Sequence, residues 1–277
     1  MEETIVKFKQ SANVGDLISM LPGIRQFTIE VKRKAVIYQR LNVVGVGTAD
    51  SVHPFKNEME QPVCMNKYMF DMVRPLILEQ DYIEDFLVFT GGEVDVDLDK
   101  IRLENFTNQP KGQINRWPFY VFPQMSCDLS KAWLKFPFPI IECQTNFGSR
   151  ILAETIIINF TVRYRQTMVH YFFLKEHESK IVFAGLESEY ELFKKDYALN
   201  IPLLIIKDFS ELARVISNCK FFIGNQSMAF QIAEGLKHPR LLEIFPGMPN
   251  VIPIGENAYD AYHQGAIEYY FNKLLKL

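Results

Sequence analysis

The chain has 277 residues, a formal net charge of −3 and 48% hydrophobic residues. That length allows one large domain or two modest ones, each with ample core. The charge argues against broad, non-specific nucleic-acid binding, which needs a basic surface, and no apolar run reaches the roughly 18 residues of a transmembrane span.

The opening Met1-Glu2-Glu3 is acidic and runs straight into a strand, unlike a secretory signal. Thr4 to Lys9 reads as that strand, Asp16 to Met20 as the start of a helix, and Lys34 to Gln39 as a second strand. Asn66 to Glu79 has helical character despite Pro75, and Phe86 to Phe89 is strand-like. Residues 103–139 are rich in Pro, Asn, Gln and aromatics and take no clear assignment. The pattern then becomes regular. Thr155 to Phe160 is a β-branched, apolar run, Met168 to Lys175 a helix, Lys180 to Ala184 a strand ending at Gly185, and Glu187 to Tyr197 a charged amphipathic helix. Pro202 to Ile206 reads as a buried strand and Phe209 to Ser217 as a helix capped by Asp208. Phe221 to Ile223, a helix from Gln226, a strand from Arg240 to Ile244 and a last helix from Tyr259 to Leu275 complete the series. Strands alternating with helices imply parallel sheets, with ligands at the carboxyl ends of the strands. The switch to regular alternation places a domain boundary near Gly148 to Ala153. The expected division is 1–150, 151–257 and a terminal segment 258–277, whose Tyr259, Tyr262, Tyr269, Tyr270 and Phe271 are expected to pack across the two domains.

Two strand-to-helix turns carry chemistry. Phe221-Phe222-Ile223-Gly224-Asn225-Gln226-Ser227-Met228 passes from an apolar strand through a polar turn into a helix. Gly224 can take a backbone conformation closed to other residues. Asn225 and Ser227 are good cap types, and the helix start offers N–H groups and a positive dipole end that attract phosphate. The second turn, Val14-Gly15-Asp16-Leu17, holds an acid that either caps its helix or serves as a general base. Gly15 either lets the backbone approach a ligand or is an ordinary turn glycine.

Both turns carry a resemblance. Ser11-Ala12-Asn13-Val14-Gly15-Asp16-Leu17-Ile18-Ser19-Met20-Leu21-Pro22-Gly23 resembles the N-terminal loop of heptosyltransferase-like GT-B glycosyltransferases, which carries Gly-Asp and then a helix ending near Leu-Pro. Gly224-Asn225-Gln226-Ser227-Met228, with Ala233-Glu234-Gly235-Leu236 and Pro239-Arg240, resembles the donor-phosphate segment of the same family. The resemblance covers both ends and most of residues 155–255, fades over 45–140, and lacks the Thr-Gly pair heptosyltransferases often carry at that turn.

The resemblance implies an α/β chain of GT-B type: two Rossmann-like domains with a cleft between them. It implies a metal-independent transfer of a sugar from a nucleoside diphosphate-sugar, as co-substrate and with no further cofactor, to a hydroxyl on a glycan or lipopolysaccharide-like acceptor. Asp16 takes the position of the general base. Arg163 and Arg165, just after the strand Thr155 to Phe160, take that of the basic residue that pairs with the diphosphate; their sequence positions do not separate them. Gly185 and Glu187 resemble the loop that holds nucleobase and ribose, and Glu187 also suits a plain helix start. Gly15, Gly224, Asn225, Gln226 and Ser227 complete the donor-binding set. The expected location is cytoplasmic, with a peripheral position at the inner membrane face left open. The alternatives are another nucleotide-sugar enzyme, such as an epimerase or hydrolase, or a catalytically silent nucleotide- or glycan-binding protein.

Other motifs read as structure. Asp95-Val96-Asp97 matches the DxD pair that holds a metal in GT-A glycosyltransferases, but its alternation with apolar residues fits a half-exposed strand. His53, His170, His177, His238 and His263 have no metal-ligand spacing, though His53 lies in a loop of the acceptor half and is a candidate substrate contact. Cys64, Cys127, Cys143 and Cys219 are scattered and read as reduced thiols. The aromatic run Trp117-Pro118-Phe119-Tyr120-Val121-Phe122-Pro123 either fills a core or stacks on a sugar acceptor.

Overall fold

The computed structural model describes residues 4–45, 55–101, 113–135 and 153–277. His53, Cys143 and most of the boundary expected at 148–153 lie outside these residues. The chain forms two compact units, one made of Met1–Leu129 with Trp133–Phe136, the other of Ser130–Ala132 with Pro137–Leu277.

Unit 1 is built on four parallel strands: β1 (Ile5–Gln10), β2 (Lys34–Gln39), β3 (Ile83–Val88) and β4 (Val96–Asp97), in the order β3-β2-β1-β4. The alternating burial of β1 follows its sequence, Val6 and Phe8 buried on one face and Lys7 and Lys9 half-buried on the other. Helix α1 (Val14–Val31) connects β1 to β2, and α2 (Lys67–Leu78) lies between β2 and β3. Asn66 caps α2, its Oδ1 accepting the Met69 N–H at 3.0 Å. From β3 the chain reaches β4 over the carboxyl edge of the sheet, through Gly91 (φ +121°) and Gly92 (φ +106°), conformations that favour glycine.

Helix α1 does not end near Leu21-Pro22 but runs on through Pro22 to Val31. Proline cannot donate to the carbonyl four residues back, which here is that of Ile18. The Trp133 indole N–H takes that carbonyl instead, at 3.1 Å. Gly23 then lets Met125 approach: a Cβ on Gly23 would meet Met125 Cβ at 3.0 Å.

Unit 2 has five parallel strands: β5 (Ile156–Asn159), β6 (Ile181–Phe183), β7 (Phe221–Asn225), β8 (Arg240–Glu243) and β9 (Ala258–Ala261), ordered β6-β5-β7-β8-β9. After the five-residue α3 (Trp117–Val121) of unit 1, the helices of unit 2 are α4 (Glu187–Tyr197), α5 (Phe209–Asn218), α6 (Met228–Leu236) and α7 (Gln264–Leu275). The core joins Ile156, Ile158, Phe183, Phe193, Phe221 and Phe271, all close to fully buried. The segment expected as a helix at Met168 to Lys175 is a run of 3-10 turns at Phe172–Lys180. Pro202 to Ile206 joins the sheet only through a bridge between Phe183 and Leu203, because proline brings no N–H and Ile205 faces solvent. The C-terminal segment is a strand and then a helix. Tyr259 of β9 stacks on Tyr270 at 4.6 Å, and Ile267, Phe271 and Leu274 enter this unit's own core.

Candidate functional site

Each sheet has one place where the connections reverse direction. In unit 1 it lies between β1 and β4, and in unit 2 between β5 and β7. At such a switch point the loops at the carboxyl ends of the strands diverge and leave a crevice, the usual ligand position in open α/β sheets.

At the unit 1 switch point, two buried glutamines fix the turn after β1. Gln10 Nε2 donates to Gln39 Oε1, and Gln10 Oε1 accepts the Ala12 N–H at 2.9 Å. Gln39 Nε2 donates to the carbonyls of Arg40 and Ala12, at 2.9 and 3.3 Å. The cap of α1 is Asn13, whose Oδ1 accepts the Asp16 N–H at 3.0 Å, while Asn13 Nδ2 donates to Asp16 Oδ2 at 3.2 Å. Asp16 is thus the acid three residues past the cap, in the first turn where the helix dipole favours a carboxylate, and it is half-buried. It lines a small cavity together with Gln10, Ser19, Asp99 and Trp117. Gly15 is the second residue of the helix, and its φ is not positive.

The acids after β3 brace β1. Asp95 accepts the Lys7 N–H at 2.7 Å, Asp97 pairs with Lys9 Nζ at 2.8 Å, and Asp99 Oδ1 accepts the Ser11 N–H and hydroxyl at 2.7 and 2.6 Å. Among the described residues no three His, Cys, Asp or Glu side chains gather to hold a metal ion.

At the unit 2 switch point the polar turn is knitted into the fold. Asn225 is fully buried. Its Oδ1 accepts the Thr161 N–H at 3.1 Å and its Nδ2 donates to the carbonyls of Arg163 and Thr161, at 2.6 and 2.9 Å. Gln226 Oε1 accepts the Phe245 N–H at 2.8 Å, and its Nε2 donates to the Met248 carbonyl and Asn250 Oδ1 at 2.7 and 2.9 Å. Ser227 donates to Asn159 Oδ1 at 2.6 Å and caps α6 by accepting the Phe230 N–H at 3.3 Å. The helix therefore starts at Met228, and the groups it can turn toward an anion are its first backbone N–H groups. Gly224 has ordinary strand geometry rather than a positive φ. Glycine is required there by packing, since a Cβ would lie 2.6 Å from the Asn159 carbonyl oxygen.

The structure separates the two arginines. Arg165 Nε donates to the fully buried Glu243 at 3.2 Å, its Nη2 donates to the Tyr197 hydroxyl at 3.1 Å, and its guanidinium lies 5.1 Å from the centre of the Phe160 ring. Burial pulls the Arg165 pKa down, but the neighbouring Glu243 outweighs that with help from Tyr171 and Tyr197, leaving it raised. Arg163 lies half-buried on the loop beyond β5, with its guanidinium 5.6 Å from the Tyr164 ring centre.

Glu187, the ribose candidate, is exposed at the start of α4, and Gly185 before it is exposed as well. The carboxylate that turns inward is Glu189, which the sequence reading missed. Its Oε2 accepts the Leu186 N–H at 3.2 Å. Burial raises its pKa, opposed by the Leu186 N–H, the charge of Arg163 and the Val162 N–H. The signal was present: helical spacing puts the second acid two residues on, on the same side as the buried Tyr190 and Phe193.

No protein-family model and no curated protein matches this chain. Solved structures do. The glycosyl transferase family 9 protein from Veillonella parvula DSM 2008 matches over 99% of this chain and 89% of its own, with a TM-score of 0.56 and 11% identity. The E. coli ADP-heptose lps heptosyltransferase II matches over 99% and 98%, with a TM-score of 0.58 and 13% identity. E. coli heptosyltransferase WaaC with ADP-2-deoxy-2-fluoro heptose matches over 97% and 99%, with a TM-score of 0.58 and 11% identity. At these identities the likeness speaks for the fold: this chain has the GT-B fold of the heptosyltransferases, two Rossmann-like α/β units built on parallel sheets.

Proposed function

We propose that this protein is a glycosyltransferase that moves a sugar from a nucleoside diphosphate-sugar to a hydroxyl acceptor without a metal ion. The observation that carries the reading is the pair of switch-point sites in one GT-B chain. One presents the half-buried carboxylate of Asp16, the other a capped helix N-terminus with Arg163 on the adjoining loop. Asp16 takes the proton of the acceptor hydroxyl as that oxygen attacks the anomeric carbon. The bond from that carbon to the diphosphate breaks, and the departing charge is met by the first N–H groups of α6 and by Arg163. Glu189 and the exposed Glu187 are the carboxylates available to ribose hydroxyls. The acceptor is a glycan or lipopolysaccharide-like hydroxyl compound, and the reaction is placed in the cytoplasm. Among the described residues no helix is long and apolar enough to cross a membrane.

WaaC was solved with an ADP-linked sugar, so ADP leads the series to test. Calorimetric titration with ADP, UDP, GDP and CDP, each with and without EDTA, is expected to show base-selective binding that EDTA leaves unchanged. Binding of none of the four would remove the donor site. A strict metal requirement would overturn the metal-free mechanism. Asp16→Asn keeps an amide oxygen to accept from Asn13 Nδ2 and is expected to lower transfer by about 10²- to 10⁴-fold with nucleotide affinity intact. Undiminished turnover would take Asp16 out of the mechanism. Nucleotide binding that survives Asp16→Ala, with no turnover on any acceptor by the unmodified protein, would instead favour a silent binding protein.

A further inference from the structure

We infer that Glu243 is a positioning residue for donor binding: its carboxylate holds the loop after β5 in a strained form that seats the Arg163 guanidinium. The inference rests on the transferase reading, in which Arg163 meets the diphosphate, and adds the residue that holds Arg163 in place.

The loop crosses the carboxyl edge of the sheet from β5 toward β9 and is tied down strand by strand. At β7, Asn225 Oδ1 accepts the Thr161 N–H at 3.1 Å, and Asn225 Nδ2 donates to the Arg163 carbonyl at 2.6 Å. The Thr161 hydroxyl donates to that same carbonyl at 3.1 Å. At β8, Glu243 lies opposite Asn225 in the strand register. Its Oε1 accepts the Gln166 N–H at 2.6 Å and the Arg165 Nε–H at 3.2 Å. Just past β9, the Tyr262 carbonyl accepts from Gln166 Nε2 at 3.0 Å.

Between the ties to β7 and β8 stands Tyr164, with φ at +53°. A bulky aromatic is an outlier in that left-handed region and persists there only where its surroundings over-determine the backbone. Here the Arg163 carbonyl is held from β7, and Arg165 and Gln166 are held from β8. The consequence is the place of the Tyr164 ring. It stands 6.0 Å from the ring of Phe245 and 5.6 Å from the Arg163 guanidinium. Phe245 is itself fixed, its N–H donating to Gln226 Oε1 at 2.8 Å. Tyr164 thus gives the cation a fixed aromatic neighbour. An arginine on a loop already ordered loses less freedom when it takes up a diphosphate.

Glu243 is fully buried, and its second oxygen accepts the Tyr171 hydroxyl at 2.6 Å, so the carboxylate is locked at both ends. Tyr171 is fully buried too, its ring 4.4 Å from that of Phe160. Without the carboxylate, the residues after Tyr164 lose their tie to β8. The backbone at Tyr164 then returns to negative φ, and the ring leaves the guanidinium.

The test is a double-mutant cycle on the full chain, read by calorimetry with whichever of ADP, UDP, GDP and CDP the unmodified protein binds most tightly. Glu243→Gln keeps an oxygen for the Gln166 N–H and is expected to weaken that nucleotide roughly tenfold, a usual size of coupling within one network. In the Arg163→Ala background, itself weaker, the same substitution is expected to change nothing further. An equal loss in both backgrounds would mean that Glu243 only supports the fold, and overturns the inference. So does unchanged or tighter binding by Glu243→Gln. Undiminished affinity in Arg163→Ala removes the arginine, and the inference with it. Should Glu243→Gln fail to fold, Tyr171→Phe keeps the ring, removes one donor to Glu243 and repeats the cycle, with a loss of roughly threefold expected. Each of these failures leaves the transferase reading standing while the unmodified protein binds a nucleotide. Binding of none of the four rejects both.

Discussion

The two switch-point turns differ in what they do with their polar side chains. In unit 2, Asn225, Gln226 and Ser227 make at least six internal hydrogen bonds among them, holding the loops after β5 and β8. In unit 1 the same task falls to Gln10 and Gln39, one step back inside the sheet. Asp16, in the first turn of α1, stands at a cavity. The physical reason is the demand that buried backbone groups be paired. A turn between buried strands needs side chains to meet it, and whichever residues do so are spent. Unit 1 thus offers a side chain for chemistry, and unit 2 offers backbone N–H groups.

The contrast can be tested by breaking the supports one at a time. The largest effect is expected at Arg240, fully buried and bonded to Glu234, with further bonds to the carbonyls of His238 and Ile254 at 2.9 and 2.6 Å. Arg240→Met strands the Glu234 carboxylate, which Lys237 at its edge relieves only in part, and should cost about 3–5 kcal/mol in denaturant unfolding. A loss under 1 kcal/mol would mean the network contributes little. Gly224→Ala forces a methyl against the Asn159 carbonyl and should cost about 1–3 kcal/mol, with nucleotide affinity falling alongside. Retained affinity would detach the phosphate site from this packing.

In unit 1, Trp133→Phe keeps the ring but leaves the Ile18 carbonyl without its donor. About 1–2 kcal/mol should be lost, with hydrogen exchange quickening in α1 around Pro22; uniform quickening across both units would contradict a local cap. The last effect appears only in acid. Burial, with Arg240 adding to it, lowers the His238 pKa from its ordinary 6.5 to about 4, against the opposing Cys219 backbone. The unfolded chain accepts a proton below about 6.5 that the folded state refuses. Stability should therefore be full above that pH and decline by up to about 3 kcal/mol as pH falls toward 4, at about 1.4 kcal/mol per pH unit. A His238→Gln variant should lose this slope, measured as Tm against pH; an unchanged slope would assign it to other groups.

Much of this was legible from the chain. The β/α alternation of residues 155–244 is strongly periodic, so its parallel sheet could be read directly. The caps at Asp208 and Ser227 followed from residue type, and Asp208 Oδ1 accepts the Glu211 N–H at 2.9 Å. Some strand and helix assignments failed for identifiable reasons. Pro202 to Ile206 has strand composition but makes only a bridge at the β6 edge, where its proline brings no N–H, and Leu21-Pro22 is a stop signal that Trp133 overrides from over a hundred residues away. The roles of Arg163 and Arg165 could not be told apart, because the difference lies in Glu243, on another strand.

The sequence by itself determined the fold class, the two strand-to-helix turns and the acid at Asp16, because these depend on local periodicity, capping chemistry and backbone geometry. Only the tertiary structure decided which polar residues remain available. It committed Asn225, Gln226 and Arg165 to internal bonds, turned Glu189 inward and brought Trp117 to Asp16. Each of those outcomes depends on which strands become neighbours, and on the need of every buried polar group for a partner.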